Sequence, residues 1–236
     1  MWKLINLIQW MLIPLITSIS GILATIALLI SKQFSFWIAK NIWSRSLCAI
    51  VFSSVKTHNK NRLTNLKEPV IYCANHQSMY DVPALFLSSD KPIHFIAKKE
   101  LKNIPFIGWY VTAAGMIFID RSNSEKAMKS MDKAGKLILS GRNVVTFPEG
   151  TRSKDGKIGL FKRGSFIIAV RSNIKIVPVA IKGTSQINPS NNFTLRPAKI
   201  EINFGSPIDP GDYPTYSAEQ IARLTQQKVS SLFDEL

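Results

Sequence analysis

The N-terminal region of the chain contains a long stretch without charged residues. No charge lies between Lys3 and Lys32, and residues 11–30 form a mostly apolar run, MLIPLITSISGILATIALLI. A helix of about twenty apolar residues is long enough to cross a hydrocarbon core of roughly 30 Å. A cleaved signal peptide fits less well, because a single lysine precedes a run of this length. The pattern therefore predicts a hydrophobic membrane helix.

A second N-terminal segment mixes aromatic and cationic residues. Residues 34–52 read FSFWIAKNIWSRSLCAIVF, with Lys40 and Arg45 among the apolar positions. Tryptophan, lysine and arginine favour the headgroup region of a bilayer, so the segment is typical of an amphipathic helix at a membrane surface. The alternative is a helix that covers the soluble domain. We assign residues 1–55 to a helical membrane anchor.

Beyond residue 55 the pattern changes to short β-branched runs separated by helical patterns. Apolar positions three to four apart follow Ser124, a second helical pattern spans residues 161–172, and Ser217 is placed to cap a final amphipathic helix. Strands that alternate with helices predict an α/β fold, with a mostly parallel sheet flanked by helices. We assign residues 56–236 to this domain. The predicted strands are residues 70–74, 93–97, 116–119, 143–147, 175–181 and 199–204.

Charge narrows the class of partner. The chain holds 30 basic and 15 acidic residues, a net charge of +15. Residues 1–183 carry 26 basic and nine acidic residues, whereas residues 184–236 carry four and six, so the excess lies in the first three quarters. Such an excess favours nucleic acid, phospholipid headgroups or a phosphorylated substrate. Nucleic acid is disfavoured, because the N-terminus is apolar and aromatic residues do not alternate with a basic stripe.

Cysteine and histidine usage argues against disulfides and metal. Cys48 and Cys73 are the only cysteines, and they lack the spacing of a metal knuckle or a redox pair. Their number fits a reducing compartment. The three histidines, His58, His76 and His94, are too few and too scattered for a metal site. We therefore predict no metal site.

One histidine follows an apolar strand at a position suited to catalysis. His76 lies just beyond the predicted strand 70–74, where open α/β sheets place their sites, and Asp81 follows five residues later. Five residues of a regular helix turn through about 500°, so the two side chains meet only if a loop leads into a helix between them. Imidazole accepts a proton from a hydroxyl, and a carboxylate on its other nitrogen fixes the tautomer. The alternative is a loop histidine that has a carboxylate neighbour and no catalytic role.

Other strand ends carry charged residues. The stretch FPEGTRS at 147–153 ends a β-branched strand, and Arg152 presents a planar guanidinium suited to phosphate. Glu149 is placed to orient that arginine or to accept a hydroxyl. Because the carboxyl ends of parallel strands share one edge, we expect the cations that follow them to converge, although each alone is equally typical of a solvated surface. These further cations are Lys98, Arg121 and Lys162.

Four sequence blocks occur in order along the chain: NHQSMYD (75–81), FIDR (118–121), FPEGTRS (147–153) and VPVA (177–180). Together they resemble the four motifs of the glycerophospholipid acyltransferases, specifically the bacterial 1-acyl-sn-glycerol-3-phosphate (lysophosphatidic acid) acyltransferases. The stretches 97–109 and 161–164 are similar to the same family. The resemblance covers about residues 70–182 and the apolar N-terminus, and four blocks in register are a far more specific signal than one His-x₄-Asp.

The resemblance implies a role for each residue of the blocks. His76 would be the general base that deprotonates the hydroxyl of a lysolipid, and Asp81 would orient it. The resulting oxygen would attack an acyl thioester on coenzyme A or acyl carrier protein, giving phosphatidic acid for phospholipid biosynthesis without a metal or prosthetic group. The residues expected to bind the acceptor are Lys98, Arg121, Glu149, Gly150, Thr151, Arg152 and Lys162.

The resemblance also implies a location at the bacterial inner membrane, with the catalytic domain on the cytoplasmic side. An N-terminal helical pair would be embedded from that side, and Pro14 and Gly21 favour a bent first helix. Residues 32–67 contain seven cations and no acidic residue, which suits an anionic lipid surface. A single crossing helix over residues 11–30 is the alternative, since it satisfies the positive-inside bias.

Three other functions stay open at this level. The first is an acyltransferase for a different lysolipid acceptor. The second is a His/Asp hydrolase of a thioester or phosphoester, in which His76 would activate water. The third is a basic, membrane-associated binding protein, for which His76 is dispensable and the arginines are not.

Overall fold

A seven-stranded sheet forms the centre of the described structure. The computed structural model describes residues 2–119, 124–189 and 192–236, without the side chains of residues 124–129 and 131. The strands are β1 (Ser54–His58), β2 (Ile71–Ala74), β3 (Ile93–Lys98), β4 (Ile117–Ile119), β5 (Asn143–Thr146), β6 (Ile176–Lys182) and β7 (Lys199–Phe204). Their order across the sheet is β1-β7-β6-β2-β5-β3-β4.

The sheet is mostly parallel. Every neighbouring pair of strands is parallel except β6 and β7, which pair antiparallel. The predicted fold class is therefore confirmed, and all six predicted strands are present. The sequence prediction missed β1, whose residues SVKTH are exposed or half-buried at the sheet edge. An edge strand buries too little surface to require an apolar run.

Helices cover both faces of the sheet. One face packs against the first five helices, and the other packs against the three helices over residues 124–139, 164–171 and 218–234. The helices are α1 (Trp2–Ala27), α2 (Lys32–Ile38), α3 (Arg45–Ile50), α4 (Asp81–Ser88), α5 (Ile107–Ala113), α6 (Ser124–Leu139), α7 (Gly164–Arg171), α8 (Thr184–Ile187) and α9 (Ala218–Asp234). A π-helical stretch, Ala39–Ser44, joins α2 to α3, and 3₁₀ turns span Lys60–Leu63, Lys99–Asn103 and Pro210–Asp212.

The three helices predicted for the second half of the chain are present as α6, α7 and α9. The last of them begins with a capping box, in which the Ser217 hydroxyl accepts the Gln220 N–H and the Gln220 side chain accepts the Ser217 N–H. These bonds satisfy two backbone donors that a helix start otherwise leaves unpaired. Ile221 and Val229 are fully buried beneath the sheet, as the helical spacing predicts.

Helix α1 has one face on the domain and one face exposed. On the domain side, the Gln9 amide donates to the Ile50 carbonyl at 2.8 Å and the Trp10 indole donates to the Phe193 carbonyl at 2.6 Å. Among the described helices, α1 alone is long and apolar enough to cross a membrane, judged by length and composition. Its outward face exposes apolar side chains along the whole length: Leu4, Leu7, Ile8, Met11, Leu15, Ile19, Ile22, Leu23 and Ile26.

The N-terminal helices and the sheet share one hydrophobic cluster. Leu47, Cys48 and Val51 are buried in the cluster that also contains side chains of β2, β3 and β6. The first strand begins at Ser54, next to the predicted boundary at residue 55. The division into an anchor and a catalytic domain stays a prediction, and it separates segments that pack against each other.

The end of β2 is extended by a side chain. Asn75 is fully buried, and its amide nitrogen donates to the Ile181 carbonyl while its oxygen accepts the Ile181 N–H, both at 2.8 Å. The side chain thus makes the two hydrogen bonds that the backbone of one more paired β2 residue would make with β6. Asn75 holds the chain against β6 at the point where it leaves the sheet, immediately before His76.

Replacing Asn75 with alanine should destabilise the protein by about 2–4 kcal/mol, because the buried N–H and C=O of Ile181 both lose their partner. Chemical denaturation in detergent measures the change. Asn61→Ala is the matched control, since Asn61 is exposed. Equal stability of the two variants would show that Asn75 does not anchor the loop.

Candidate active site

His76 and Asp81 meet in the loop between β2 and α4. The distance from His76 Nδ1 to Asp81 Oδ2 is 2.7 Å, and the same oxygen accepts the backbone N–H groups of Gln77 and Ser78 at 2.7 and 3.0 Å. Asp81 is fully buried at the first position of α4, where the helix dipole favours a negative charge. Because a carboxylate only accepts hydrogen bonds, Nδ1 carries the hydrogen and Nε2 is left as a proton acceptor.

The imidazole of His76 is fixed by stacking as well as by hydrogen bonding. Its ring lies on the ring of Phe147, with centroids 4.0 Å apart and planes inclined by 16°. The side chain is 19% exposed. The ring therefore has a defined orientation and still reaches the cavity described below.

Glu149 holds the backbone on both sides of the site. Its Oε1 accepts the His76 N–H at 2.8 Å and its Oε2 accepts the Gly159 N–H at 3.0 Å. A side chain at residue 159 would collide with this carboxyl group. Burial raises the pKa of Glu149, and the two N–H donors oppose that effect. The neighbouring loop also donates Ser153 N–H to the His76 carbonyl at 2.8 Å, so both ends of the His76 backbone are held.

A cavity of about 600 Å³ opens beside His76. Most of its polar lining comes from the carboxyl edge of the sheet, where His76 follows β2, Lys98 ends β3, and residues 150–152 and Lys154 follow β5. Its apolar lining comes mostly from helices on the same face, with Gly21 and Ala24 of α1, Val82 and Phe86 of α4, and Tyr110 and Val111 of α5. One space thus has a cationic side and a long apolar side, which suits an amphiphilic ligand.

The predicted site residues fall into three groups. His76, Lys98, Gly150, Thr151 and Arg152 line the cavity, so the structure brings them together. Asp81 and Glu149 are buried behind that lining and bond to it. Lys162 is exposed outside the lining, and Arg121 lies outside the described residues.

Sequence reasoning missed several parts of this site. Lys154 lines the cavity beside Arg152, although the sequence placed it only in a turn. Phe147, which stacks on His76, carried no signal beyond its place at a strand end. No sequence signal indicated that α1 residues line the cavity, because only tertiary packing brings that helix over the sheet. Among the described residues, no three His, Cys, Asp or Glu side chains form a metal-binding group.

Residues 54–182 match the protein-family model described as Acyltransferase. This match covers more than half of the chain. The chain therefore belongs to the Acyltransferase family, which confirms the resemblance that the four sequence blocks indicated.

Named relatives point to one branch of that family. A 1-acyl-sn-glycerol-3-phosphate acyltransferase of Chlamydomonas reinhardtii is 33% identical over 192 residues, covering 81% of this chain and 56% of that protein. One from Pseudomonas aeruginosa is 33% identical over 161 residues, covering 66% of this chain and 62% of that protein. The chain spans about half the length of the first curated relatives that it matches.

A solved structure resembles the whole chain. It is the crystal structure of the 1-acyl-sn-glycerophosphate (LPA) acyltransferase PlsC from Thermotoga maritima. The TM-score is 0.86 at 26% sequence identity, and the match covers 100% of this chain and 97% of that one. The similarity includes the N-terminal helices as well as the sheet.

Replacing Glu149 with alanine should lower stability by about 2–4 kcal/mol, because two backbone N–H groups beside the site lose their acceptor. Glu149→Gln should cost less, since one amide oxygen still accepts. Thermal or chemical denaturation measures both, with the exposed Glu219→Gln as control. If Glu149→Ala keeps full stability and only raises the KM for a lipid acceptor, the carboxyl contacts substrate rather than the backbone.

Proposed function

We propose that this protein transfers an acyl group from a thioester to the hydroxyl of 1-acyl-glycerol-3-phosphate and so forms phosphatidic acid for phospholipid biosynthesis. The observation that carries the proposal is the His76–Asp81 pair at a cavity that is cationic on one side and apolar on the other. The relatives named above have the same activity in their names.

The proposed reaction needs no nucleophile from the protein. Nε2 of His76 takes the proton of the lysolipid hydroxyl as that oxygen attacks the thioester carbonyl. The C–O bond forms, the C–S bond breaks, and the imidazolium returns its proton to the departing thiolate. Asp81 stabilises the imidazolium between these steps. A base and oxyanion stabilisation suffice for such a transfer, so we propose no metal and no prosthetic group.

Cations beside His76 are suited to the acceptor's phosphate. Arg152, with its planar guanidinium, lines the cavity together with Thr151 and the Gly150 backbone. Lys98 and Lys154 line the same cavity and add positive charge. We propose that these groups bind the glycerol-phosphate, and that Arg121 of the FIDR block joins them. Lys162 would contribute only through its long-range field.

The proposed donor is an acyl thioester of coenzyme A or of acyl carrier protein. Each is tested by incubating purified protein with the labelled thioester, with and without lysophosphatidic acid. Labelled phosphatidic acid that forms only with the acceptor supports the proposal and identifies the donor. Labelled free fatty acid that forms without the acceptor would identify a hydrolase instead. A panel of other lysolipids identifies the preferred acceptor.

We further propose that α1 lies in the plane of the inner membrane, on its cytoplasmic side. One face of α1 bonds to the domain at Gln9 and Trp10, and the opposite face exposes apolar side chains along a helix of 26 residues, about 39 Å long. A crossing helix would pull the polar domain into the bilayer, whereas an in-plane helix buries only its exposed face. The cations of residues 32–67 favour an anionic lipid surface.

Replacing His76 with alanine should lower turnover by roughly 10²–10⁴ with little change in the KM for the lysolipid, because the general base is lost. Asp81→Asn should also lower turnover, because an amide stabilises the wrong tautomer. His58→Ala is the control, since that ring pairs with Glu201 at the far edge of the sheet. A folded His76→Ala protein with near-normal turnover would refute the assignment.

Replacing Arg152 with alanine should weaken the apparent affinity for lysophosphatidic acid by about 1.5–3 kcal/mol, the usual value for a hydrogen bond to a charged group. Arg152→Lys should restore this affinity only in part, because the planar fork is lost. Acceptors whose phosphate carries a zwitterionic headgroup should be less affected, and the exposed Arg223→Ala should change nothing. Equal losses for every acceptor would indicate a structural role.

A cysteine introduced at the exposed Lys3 should resist an impermeant thiol reagent applied to intact cells and react once the cytoplasmic side is opened. The in-plane arrangement keeps both ends of α1 on that side. Cys48 and Cys73 are buried and should contribute little signal, and Ser231→Cys on α9 serves as a cytoplasmic reference. Strong labelling of Lys3→Cys in intact cells would mean that α1 crosses the membrane.

A further inference from the structure

A second cavity, of about 490 Å³, lies at the amino ends of β3 and β5, whereas the active site lies beyond the carboxyl ends of the parallel strands. It is bordered by the start of β3, the start of β5 and the turn between α1 and α2. Tyr110 and Met116 line both this cavity and the one beside His76. The two spaces are thus neighbours that share a wall.

The lining of this second cavity carries positive charge only. The cations Lys32, Lys91 and Arg142 line it together with the His94 ring, and its described lining contains no Asp or Glu. The Lys91 ammonium donates to the Leu66 carbonyl at 2.9 Å, which lies outside the lining of this cavity. Clustered cations without a carboxylate repel one another, so a bound anion would relieve the repulsion.

Arg142 is placed by the backbone rather than by an acidic partner. One Nη1–H donates to the Gly115 carbonyl at 3.0 Å. Gly115 has a positive φ of 74°, and a side chain there would collide with the guanidinium. A guanidinium has five N–H donors, and within the described part of the chain the other four have no acceptor. They form a planar fork of the kind that binds phosphate.

The pKa of His94 depends on the charges around the cavity. Its Nδ1–H donates to the Asn143 carbonyl at 3.2 Å, which leaves Nε2 as the second polar atom of the ring. Burial lowers the pKa of His94, and the charges of Arg142 and Lys32 lower it further. A phosphate among these groups would favour the imidazolium and raise the pKa.

The cavity also has apolar walls, and it lies next to an exposed apolar surface at the end of α1. Leu28, Phe36 and Tyr110 are among its apolar lining residues. Directly beside it, Leu29 and Ile30 are 88% and 73% exposed at the turn that ends α1. Such side chains favour the bilayer, so the cavity lies where lipid headgroups would surround it.

We propose that this cavity binds the phosphate of an anionic phospholipid from the surrounding leaflet, at a site separate from that of the acyl acceptor. The Arg142 guanidinium and Lys32 hold the phosphate oxygens, His94 lies beside them, and the apolar walls contact the glycerol and upper acyl chain. The proposal depends on the membrane position of α1 and not on acyl transfer.

The test measures the pKa values of the histidines by NMR, with the protein in neutral detergent. Short-chain phosphatidylglycerol is the probe, because it is neither the acceptor nor the product of the proposed reaction. Its addition should raise the pKa of His94 and leave His58, at the far edge of the sheet, unchanged. His94→Gln assigns the signal. No change at His94 under saturating lipid would overturn the proposal.

Variants of Arg142 distinguish a site with defined hydrogen bonds from attraction by net charge alone. Arg142→Gln should weaken binding of phosphatidylglycerol by roughly tenfold or more, and Arg142→Lys should weaken it nearly as much, because the planar fork is lost. The control Arg223→Gln removes one exposed charge and should have no effect. Full binding by Arg142→Lys would mean that the cavity attracts lipid only by net charge, which contradicts the proposal.

Two further experiments test the role of Lys32 and the choice of a lipid over soluble phosphate. Lys32→Gln changes an exposed side chain, so it should fold normally and still weaken binding, and normal binding by this variant would count against the site. Inorganic phosphate should act on His94 only at much higher concentration than the lipid. If both act at the same concentration, the cavity takes soluble phosphate and the lipid assignment is wrong.

Discussion

The hydrogen bonds accepted by the Asp81 carboxyl group organise the rest of the site. One oxygen accepts the His76 ring and two backbone N–H groups, which forces the chain into a tight loop before α4. The loop is possible only because β2 ends at the carboxyl edge and Asn75 continues its pairing with β6. Glu149 then fixes the other side of the same loop. The geometry of the His76–Asp81 pair therefore depends on buried carboxyl groups that bond to the backbone.

The proposed transfer of an acyl group to a charged lipid needs two environments side by side. Parallel strands supply the first, because cations that follow their carboxyl ends, such as Lys98 and Arg152, reach one edge. The N-terminal helices supply the second by covering the sheet with apolar side chains. Helix α1 also exposes an apolar face outward, so the cavity beside His76 and the proposed membrane surface lie on two sides of α1.

Much of this arrangement could be predicted from the sequence, because local patterns encode it. The spacing of His76 and Asp81 required a loop entering a helix, and Ser217 marked the start of α9. The edge strand β1 was missed because it buries little. The acceptor-binding role of Glu149 stays a prediction, and the sequence does not indicate that its oxygens bond to backbone N–H groups 73 and 10 residues away. Contacts of that kind depend on tertiary packing and leave no periodic trace in the sequence.

The proposed role of His76 as a base requires that Asp81 holds the neutral ring with its hydrogen on Nδ1, so that Nε2 is free to accept a proton. Nitrogen-15 NMR of histidine-labelled full-length protein measures this directly, with His76→Gln to assign the signal. We predict that neutral His76 carries its hydrogen on Nδ1, with Nε2 unprotonated. A neutral ring with its hydrogen on Nε2 would contradict the proposed role of the pair.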